Sequence, residues 1–295
     1  MTDLGIETTN LTKKYSRQLA VDRFDMRVPS GSIYGLLGRN GAGKTTTIKM
    51  LLGLLPITSG SATVLHHDSQ RESIKIKAEV GYVPEIQKMY DWMTIAEIVD
   101  FTSVFYPTWN KDEAERLLNQ FRLDRNKKIG ELSRGMTAQV SLVLALAYEP
   151  KLLILDDPTS GLDPIVRKDF LSSISELAQK EGRTIFFSSH ILGDIERICD
   201  WVGIVSHGRM RKEARVDDLK SSVKKIIVKF EEVPPETALP GVINQERNNS
   251  TYSFTVENYS DETLSVLKKY RTRSVEVVDL NLEEIFVEYL GKESA

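Results

Sequence analysis

Short apolar runs alternate with amphipathic stretches between residues 32 and 205 of this chain. Such runs are typical of parallel strands that are buried on both faces, and amphipathic stretches are typical of the helices that cover them. The runs that we interpret as strands lie at residues 32–37, 80–85, 152–157, 184–188 and 201–205. This pattern predicts an α/β fold whose main sheet is largely parallel.

Three other segments have different patterns. Residues 1–30 predict further β-structure, whereas residues from about 86 to 147 are helical and aromatic in composition. Beyond residue 220 the pattern predicts a small α+β unit, with strands at 224–230, 251–256 and 274–280 and helices at 261–270 and 281–290. We therefore expect two domains, 1–220 with a helical subdomain at about 86–147, and an accessory domain at 221–295.

Composition and charge narrow the possible classes of protein. The net charge of −3 gives no reason to expect nucleic acid as a partner. A single cysteine, Cys199, excludes an internal disulfide and fits a reducing compartment. No apolar run approaches the ~18 residues that a membrane span requires, and the N-terminus does not resemble a signal peptide. We expect a cytoplasmic chain, and any membrane spans that it works with must come from another polypeptide.

A phosphate-binding loop is the most specific local signal. Residues 38–45 fit G-x-x-x-x-G-K-[ST], between the predicted strand at 32–37 and a predicted helix at 45–55. Glycine-rich backbone lets successive N–H groups surround an anion, and the helix dipole adds to the attraction. Lys44 can reach the β- and γ-phosphates, and the Thr45 hydroxyl can bind Mg²⁺. The residues predicted to bind the nucleotide here are Gly38, Asn40, Gly41, Ala42, Gly43, Lys44, Thr45 and Thr46.

Polar residues follow two of the predicted buried strands. Asp156 and Asp157 end the strand at 152–157, and His190 follows the strand at 184–188. The carboxyl ends of parallel strands meet at one edge of a sheet, so these side chains are placed to face a bound nucleotide.

Two more motifs make the pattern specific. The segment 132–136 reads Leu-Ser-Arg-Gly-Met, and the segment 160–163 reads Ser-Gly-Leu-Asp. In this order and spacing, the motifs over roughly residues 5–215 resemble the ATP-binding cassette of ABC transporters. The resemblance implies an ABC-type P-loop NTPase core with an inserted helical subdomain and a small C-terminal α+β appendage. It also implies ATP and Mg²⁺ as ligands.

Individual roles follow from the resemblance. Tyr15 matches the aromatic residue that stacks on adenine, and Asp156 matches the carboxylate that holds Mg²⁺ together with Thr45. Asp157 occupies the place of the residue that polarises the attacking water, and His190 that of the γ-phosphate sensor. The remaining position, in the loop after the strand at 80–85, is Glu85, to which we assign a role in catalysis and near the metal.

The same resemblance implies a pair of cassettes. Ser133 and Gly135 match the signature segment that contacts the nucleotide bound to the opposite subunit, and Asp163 matches the loop that joins the two sites. We therefore expect a second ABC ATPase subunit, either the same chain or a sister cassette. We also expect a separate polytopic membrane subunit, which would place the chain peripherally on the inner face of the cell membrane.

Two departures from the usual pattern are informative. Glutamate at position 85 and Arg-Gly-Met at 134–136 resemble the drug- and antibiotic-export branch, in which the ATPase is a separate polypeptide. Asp157 stands where the family usually has glutamate, which shortens the reach of the carboxylate by roughly 1.5 Å. A misplacement of about 1 Å can lower a rate on the order of 10²-fold. The sequence therefore predicts slow hydrolysis unless the backbone compensates.

Some alternatives stay open at this point. A weakly hydrolysing, nucleotide-gated switch is the main alternative to an exporter subunit. A soluble ABC ATPase acting on nucleic acid is disfavoured, because the chain has one cassette and no basic stripe. The aromatic residues between positions 89 and 109 form either the core of the helical subdomain or a groove for a partner helix.

Overall fold

The computed structural model of the chain describes residues 3–231, 239–267 and 269–290. By its internal contacts the chain divides into two compact units, Met1–Met210 and Arg211–Ala295. The first unit combines strands and helices around a parallel sheet, so the predicted α/β class is confirmed. No helix among the described residues is both long enough and apolar enough to span a membrane.

Ten strands occur up to residue 215. They are β1 (Leu4–Tyr15), β2 (Gln18–Pro29), β3 (Ile33–Leu37), β4 (Ser59–Val64), β5 (His67–Asp68), β6 (Val80–Val83), β7 (Leu152–Asp156), β8 (Thr184–Ser189), β9 (Trp201–Ser206) and β10 (Arg209–Arg215). The main sheet has the order β10-β9-β3-β8-β7-β6. Within it, β3 is parallel to β8 and β9, and β7 is parallel to β6 and β8. Every residue of β3, β7 and β8 is buried, which explains why these strands are mostly apolar and carry polar side chains mainly near their ends.

A second sheet of the first unit is antiparallel. Its order is β2-β1-β4-β5. Inward-facing residues of β1 and β2, such as Ile6, Phe24 and Met26, join one hydrophobic core with Leu36 of β3 and Ile48 behind the phosphate loop. This shared core fixes the long β1–β2 hairpin beside the loop, which positions Tyr15 at the end of β1.

Seven α-helices lie within the described residues of the first unit. They are α1 (Lys44–Leu51), α2 (Ser73–Glu79), α3 (Ile95–Ser103), α4 (Lys111–Gln120), α5 (Arg134–Leu146), α6 (Pro164–Glu181) and α7 (Leu192–Ile198). Thr94 and Glu97 form a capping box at the start of α3, since Thr94 accepts from Glu97 N and Glu97 accepts from Thr94 N. α1 ends at Leu51 instead of residue 55, because Leu52 caps it and Gly53 turns into the left-handed region at φ 63°.

The described residues of the second unit form an antiparallel sheet and three helices. It contains α8 (Val216–Ser222), β11 (Lys224–Phe230), β12 (Val242–Asn248), β13 (Thr251–Val256), α9 (Asp261–Leu267), β14 (Thr272–Asp279) and α10 (Leu282–Leu290). The sheet order is β12-β13-β11-β14. Ile226, Phe254 and Leu267 lie in its core. The sequence Val-Pro-Pro at 233–235 predicts a loop after β11, and this segment lies outside the described residues.

Candidate functional site

The phosphate loop joins β3 to α1 and depends on glycine. Gly41 and Gly43 adopt φ of 83° and 106°, where residues with a Cβ are strained. A Cβ on Gly43 would also lie 2.7 Å from Ala20 O, so the β1–β2 hairpin leaves no room for a side chain. The close approach places the hairpin directly beside the backbone N–H groups of the loop.

Lys44 lies back across this loop. Its Nζ donates to Gly38 O at 2.7 Å and to Arg39 O at 3.2 Å. Burial lowers the pKa of Lys44, and the negative charges of Asp157, Asp156 and Glu85 oppose that change. The partly desolvated Lys44 cation suits a ligand with negative oxygens, and the three carboxyl groups nearby suit a metal cation that accompanies such a ligand.

Asp156 and Thr45 meet at the edge of the sheet. Thr45 Oγ1 donates to Asp156 Oδ1 at 3.1 Å, and Ser188 Oγ donates to the same oxygen at 2.9 Å. Burial raises the pKa of Asp156, and the two hydroxyl groups partly offset that rise. Among the described residues no cluster of three or more histidine, cysteine or acidic side chains could hold a metal ion. A hydroxyl and one carboxylate nevertheless fit Mg²⁺ that arrives with a nucleotide, because substrate phosphates and water complete its coordination.

Asp157 and His190 form a hydrogen-bonded pair. His190 Nδ1 lies 2.6 Å from Asp157 Oδ2, and Asp157 N donates to Ser188 Oγ at 3.0 Å. Asp157 is a non-glycine residue at φ 47°. Its other oxygen, Oδ1, is buried without a hydrogen-bond partner among the described residues. His190 thus holds one oxygen of a buried carboxylate, which fixes the orientation of the Asp157 side chain.

A cavity of about 680 Å³ brings most of the predicted nucleotide residues together. Its lining includes Tyr15, Asn40, Gly41, Gly43, Lys44, Thr45, Thr46, Glu85 and Asp157. Tyr15 is 42% exposed there, and Lys13 Nζ lies 5.1 Å from the centre of its ring. A flat aromatic side chain, a ring of backbone N–H groups and a carboxylate therefore face one space.

The signature residues lie elsewhere. Ser133 caps α5 by accepting a hydrogen bond from Met136 N at 3.3 Å, and Gly135 packs so closely that a Cβ would lie 2.5 Å from Val166 Cγ1. Neither residue lines the cavity that holds Lys44. Asp163 caps α6, accepting from the backbone N–H groups of the two residues at 165 and 166.

Ser188 is a site residue that the sequence did not single out. It contacts both acidic residues at the end of β7, because the β7–β8 register places it opposite Asp156. A small polar residue near the end of a buried strand was the available signal, but that signal alone is weak.

Comparison with known proteins identifies the family. The family profile described as ABC transporter matches residues 21–160. The bacitracin transport ATP-binding protein BcrA of Bacillus licheniformis is 39% identical over 224 residues, which cover 75% of this chain and 73% of BcrA. The chain belongs to the ABC transporter family. Within that family it is an ATP-binding subunit with ATPase activity, so the predicted family and enzyme class are confirmed.

Two further similarities agree with this result. The ABC transporter ATP-binding protein YtrB of Bacillus subtilis is 30% identical over 288 residues, 97% of this chain and 98% of YtrB. A solved ATP-binding subunit of an ABC transporter is 31% identical and superposes with a TM-score of 0.67, covering 74% of this chain and 92% of that one. The names of BcrA and YtrB both describe ATP-binding proteins of transport systems. These similarities therefore do not favour the alternative of a regulatory switch.

Proposed function

We propose that this chain hydrolyses ATP as the separate ATPase subunit of a membrane exporter. The observation that carries the proposal is the pair of Asp157 and His190 at 2.6 Å, beside the loop that holds Lys44. A positioned carboxylate next to a phosphate cradle is suited to orient an attacking water. The export assignment is supported by the relative BcrA, whose name describes transport of the antibiotic bacitracin.

Within one subunit we assign the following roles. Tyr15 stacks on the adenine ring, and Lys44 together with the loop backbone binds the β- and γ-phosphates. Asp157 accepts a hydrogen bond from the attacking water, and His190 holds its Oδ2 and faces the γ-phosphate. Glu85 stands at the rim of the same cavity, where it can report on the γ-phosphate.

Thr45 and Asp156 would hold the Mg²⁺ that accompanies ATP, with Glu85 close to it. The ion would supply positive charge against the phosphate oxygens as negative charge develops on them. The chain's own contribution is orientation, because Ser188 fixes the Asp156 carboxyl through the bond of 2.9 Å.

A complete site requires a second cassette in this proposal. Ser133 and Gly135 do not line the cavity of their own subunit, yet Ser133 stands at the N-terminus of α5, where unpaired N–H groups favour a phosphate. A second copy, or a sister cassette, would bring this helix terminus to the γ-phosphate. Closure on ATP and reopening after hydrolysis would then drive the membrane subunit.

The surface that would contact the membrane subunit is an exposed aromatic patch. Tyr90, Trp92, Phe101 and Phe105 are each at least 41% exposed. Their rings form a chain, with centroid distances of 5.8 Å from Tyr90 to Trp92, 5.9 Å from Tyr90 to Phe101 and 5.3 Å from Phe101 to Phe105. Exposed apolar patches of this kind mark protein interfaces.

The other two aromatic residues of this region, Tyr106 and Trp109, are half-buried and pack beside the core of the helical subdomain. Tyr106 stacks on Tyr148 with ring centroids 3.9 Å apart, and Met93 is buried. We infer that each interpretation of the aromatic segment applies to a different part of it. We define the aromatic patch as Tyr90, Trp92, Phe101 and Phe105 and propose that it docks a cytoplasmic segment of a polytopic subunit, which would hold the chain at the inner face of the membrane.

A pull-down from gently solubilised native membranes tests this function. We expect a stoichiometric polytopic protein to co-purify with the parent chain. The double variant Trp92→Ala/Phe105→Ala should lose that protein while its ATP hydrolysis continues. Ile74→Ala removes a side chain that is also exposed, at 83%, but outside the patch, and should retain the partner. Recovery of the parent chain without any polytopic protein would contradict the proposal.

A further inference from the structure

A second hydrogen bond joins the segments that carry Asp157 and His190. Thr159 lies in the loop between β7 and α6, two residues after Asp157, and Asp194 lies in the first turn of α7, four residues after His190. Thr159 Oγ1 donates to Asp194 Oδ2 at 2.5 Å. Both side chains are buried, and neither lines the cavity that holds Lys44.

Burial of the Asp194 carboxyl group costs desolvation free energy, which apolar packing would avoid. Burial raises the pKa of Asp194, and the Thr159 hydroxyl and the Arg167 guanidinium oppose that rise. Apolar side chains of similar volume would fill the same space without a desolvation penalty. Packing alone therefore does not explain why Thr159 and Asp194 are polar.

The loop that contains Thr159 also fixes Asp157. The left-handed conformation of Asp157, at φ 47°, is one that non-glycine residues adopt rarely and that the surrounding structure must hold. Ser160 N donates to Asp157 O at 3.1 Å, and Leu162 N donates to Thr159 O at 3.1 Å. A shift of Thr159 would therefore propagate to the backbone on both sides of it.

The other end of the bond is tied to the histidine segment. Asp194 N donates to Ile191 O at 3.2 Å, and Ile191 N donates to Ser189 Oγ at 2.9 Å. On the far side of the loop, Arg167 Nη2 donates to Leu162 O at 3.2 Å. The loop is thus anchored at its middle by Asp194 and near its end by Arg167.

We propose that Asp194 is a positioning residue for ATP hydrolysis. Through Thr159 it holds the loop at 157–163 against the segment of His190, so that the two members of the Asp157–His190 pair meet. It does so from behind the site and does not touch the nucleotide. This inference rests on the roles that we propose for Asp157 and His190.

The test compares two substitutions at Thr159 in the full chain. Thr159→Val removes the hydroxyl and keeps the shape, whereas Thr159→Ser keeps the hydroxyl. We expect Thr159→Val to lower kcat for ATP by about 10- to 100-fold with KM changed less than about twofold, because a misplacement of about 1 Å has effects of that order on the chemical step. Thr159→Ser should keep kcat within about threefold of the parent chain.

Thr8→Val is the matched control. Thr8 is also buried, and its Oγ1 donates to Phe24 O at 2.8 Å within the antiparallel sheet. The chemical change is the same, so a general effect of losing a buried hydrogen bond would appear in both variants. We expect kcat of Thr8→Val to stay within about twofold of the parent. An equal loss in Thr8→Val and Thr159→Val, or a Thr159→Ser variant as slow as Thr159→Val, would overturn the proposal.

Asp157→Asn separates this inference from the function on which it rests. If Asp157→Asn hydrolyses ATP at the parent rate, the proposed role of Asp157 is wrong and the positioning role fails with it. If Asp157→Asn is inactive while Thr159→Val keeps the parent kcat, only the positioning role is wrong.

Discussion

Asp157 combines a short side chain with an unusual backbone conformation. Its carboxylate is one methylene shorter than the glutamate that the family usually has, and His190 already holds one of its oxygens at 2.6 Å. The reach toward a water at the γ-phosphate is reduced by roughly 1.5 Å. We therefore expect Asp157→Glu to raise kcat for ATP hydrolysis by about tenfold or more, measured at saturating MgATP.

The amide variant supplies the control for this prediction. Asp157→Asn keeps the length of the side chain and removes its charge, so kcat should fall by about 10²- to 10⁴-fold. Equal rates for the parent chain and Asp157→Glu would contradict the prediction. Such a result would indicate that the left-handed backbone at φ 47° already moves the shorter carboxylate far enough forward.

Asp156 should make the protein less stable as its carboxyl group ionises. Burial raises the pKa of Asp156 above its ordinary value of 3.8 in the folded state, so the unfolded chain loses this proton first as the pH rises. The free energy of unfolding therefore falls as the pH rises from 3.8 to the raised pKa of Asp156, and this loss is complete above that pKa. We expect Asp156→Asn to raise Tm at pH 7, by about 2–4 °C for each kcal/mol gained. Calorimetry should show this gain shrinking as the pH is lowered toward 3.8.

At the level of single residues, the sequence singled out neighbouring residues of the candidate site where a motif was continuous. The loop at 38–45 and the pair at 156–157 were found because their chemistry lies in adjacent positions. Ser188, Thr159 and Asp194 were not found, because each acts across strands or loops that only the folded register brings together. A lone serine or threonine in an apolar context has many ordinary explanations, and only the folded structure shows its hydrogen-bond partner.

At the scale of elements, the capping box of α3 offers a direct test of stability. Thr94 accepts from Glu97 N at 3.2 Å, and Glu97 Oε2 accepts from Thr94 N at 2.7 Å. We expect Thr94→Ala to lower the free energy of unfolding by about 1 kcal/mol, measured by denaturant titration. Thr102→Ala is the control, because Thr102 lies in the same helix and its hydroxyl only bonds back to Ile98 O. An equal loss in the two variants would show that the cap does not stabilise α3.

The prediction of elements succeeded where one physical cause dominated. Strands such as β7 and β8 were found because both of their faces are buried. In contrast, β10, β12 and α8 were not predicted. The sequences of β10 and β12, RMRKEAR and VINQERN, are mostly polar and partly exposed, so they carry no clear alternation. These strands exist because a neighbouring strand supplies their hydrogen bonds, which a local pattern does not reveal.

For the whole molecule, the central question is whether one chain holds a complete site. The cavity of Lys44 contains the loop, Tyr15 and Asp157, but not Ser133, whose helix terminus favours a phosphate. If two copies form composite sites, each site takes its phosphate loop from one copy and its signature segment from the other. A defect in the loop and a defect in the signature then lie in different copies at any one site. Lys44→Ala disables the first half. Ser133→Asp disables the second by repulsion and still supplies an oxygen to cap α5.

Mixing these two variants should restore activity that neither has alone. In a mixed dimer, Lys44 of the Ser133→Asp copy faces Ser133 of the Lys44→Ala copy, so one of the two sites is intact. Random exchange of subunits makes half of the dimers mixed, and we expect about a quarter of the parent rate per chain in a steady-state ATPase assay. Co-purification of an untagged Ser133→Asp chain with a tagged Lys44→Ala chain measures subunit exchange directly. If subunits exchange and the mixture stays inactive, the two halves are not shared between copies of this chain. The signature half of the site would then have to come from a sister cassette. In that case, adding the sister cassette to the Ser133→Asp chain alone should restore ATP hydrolysis in the same assay.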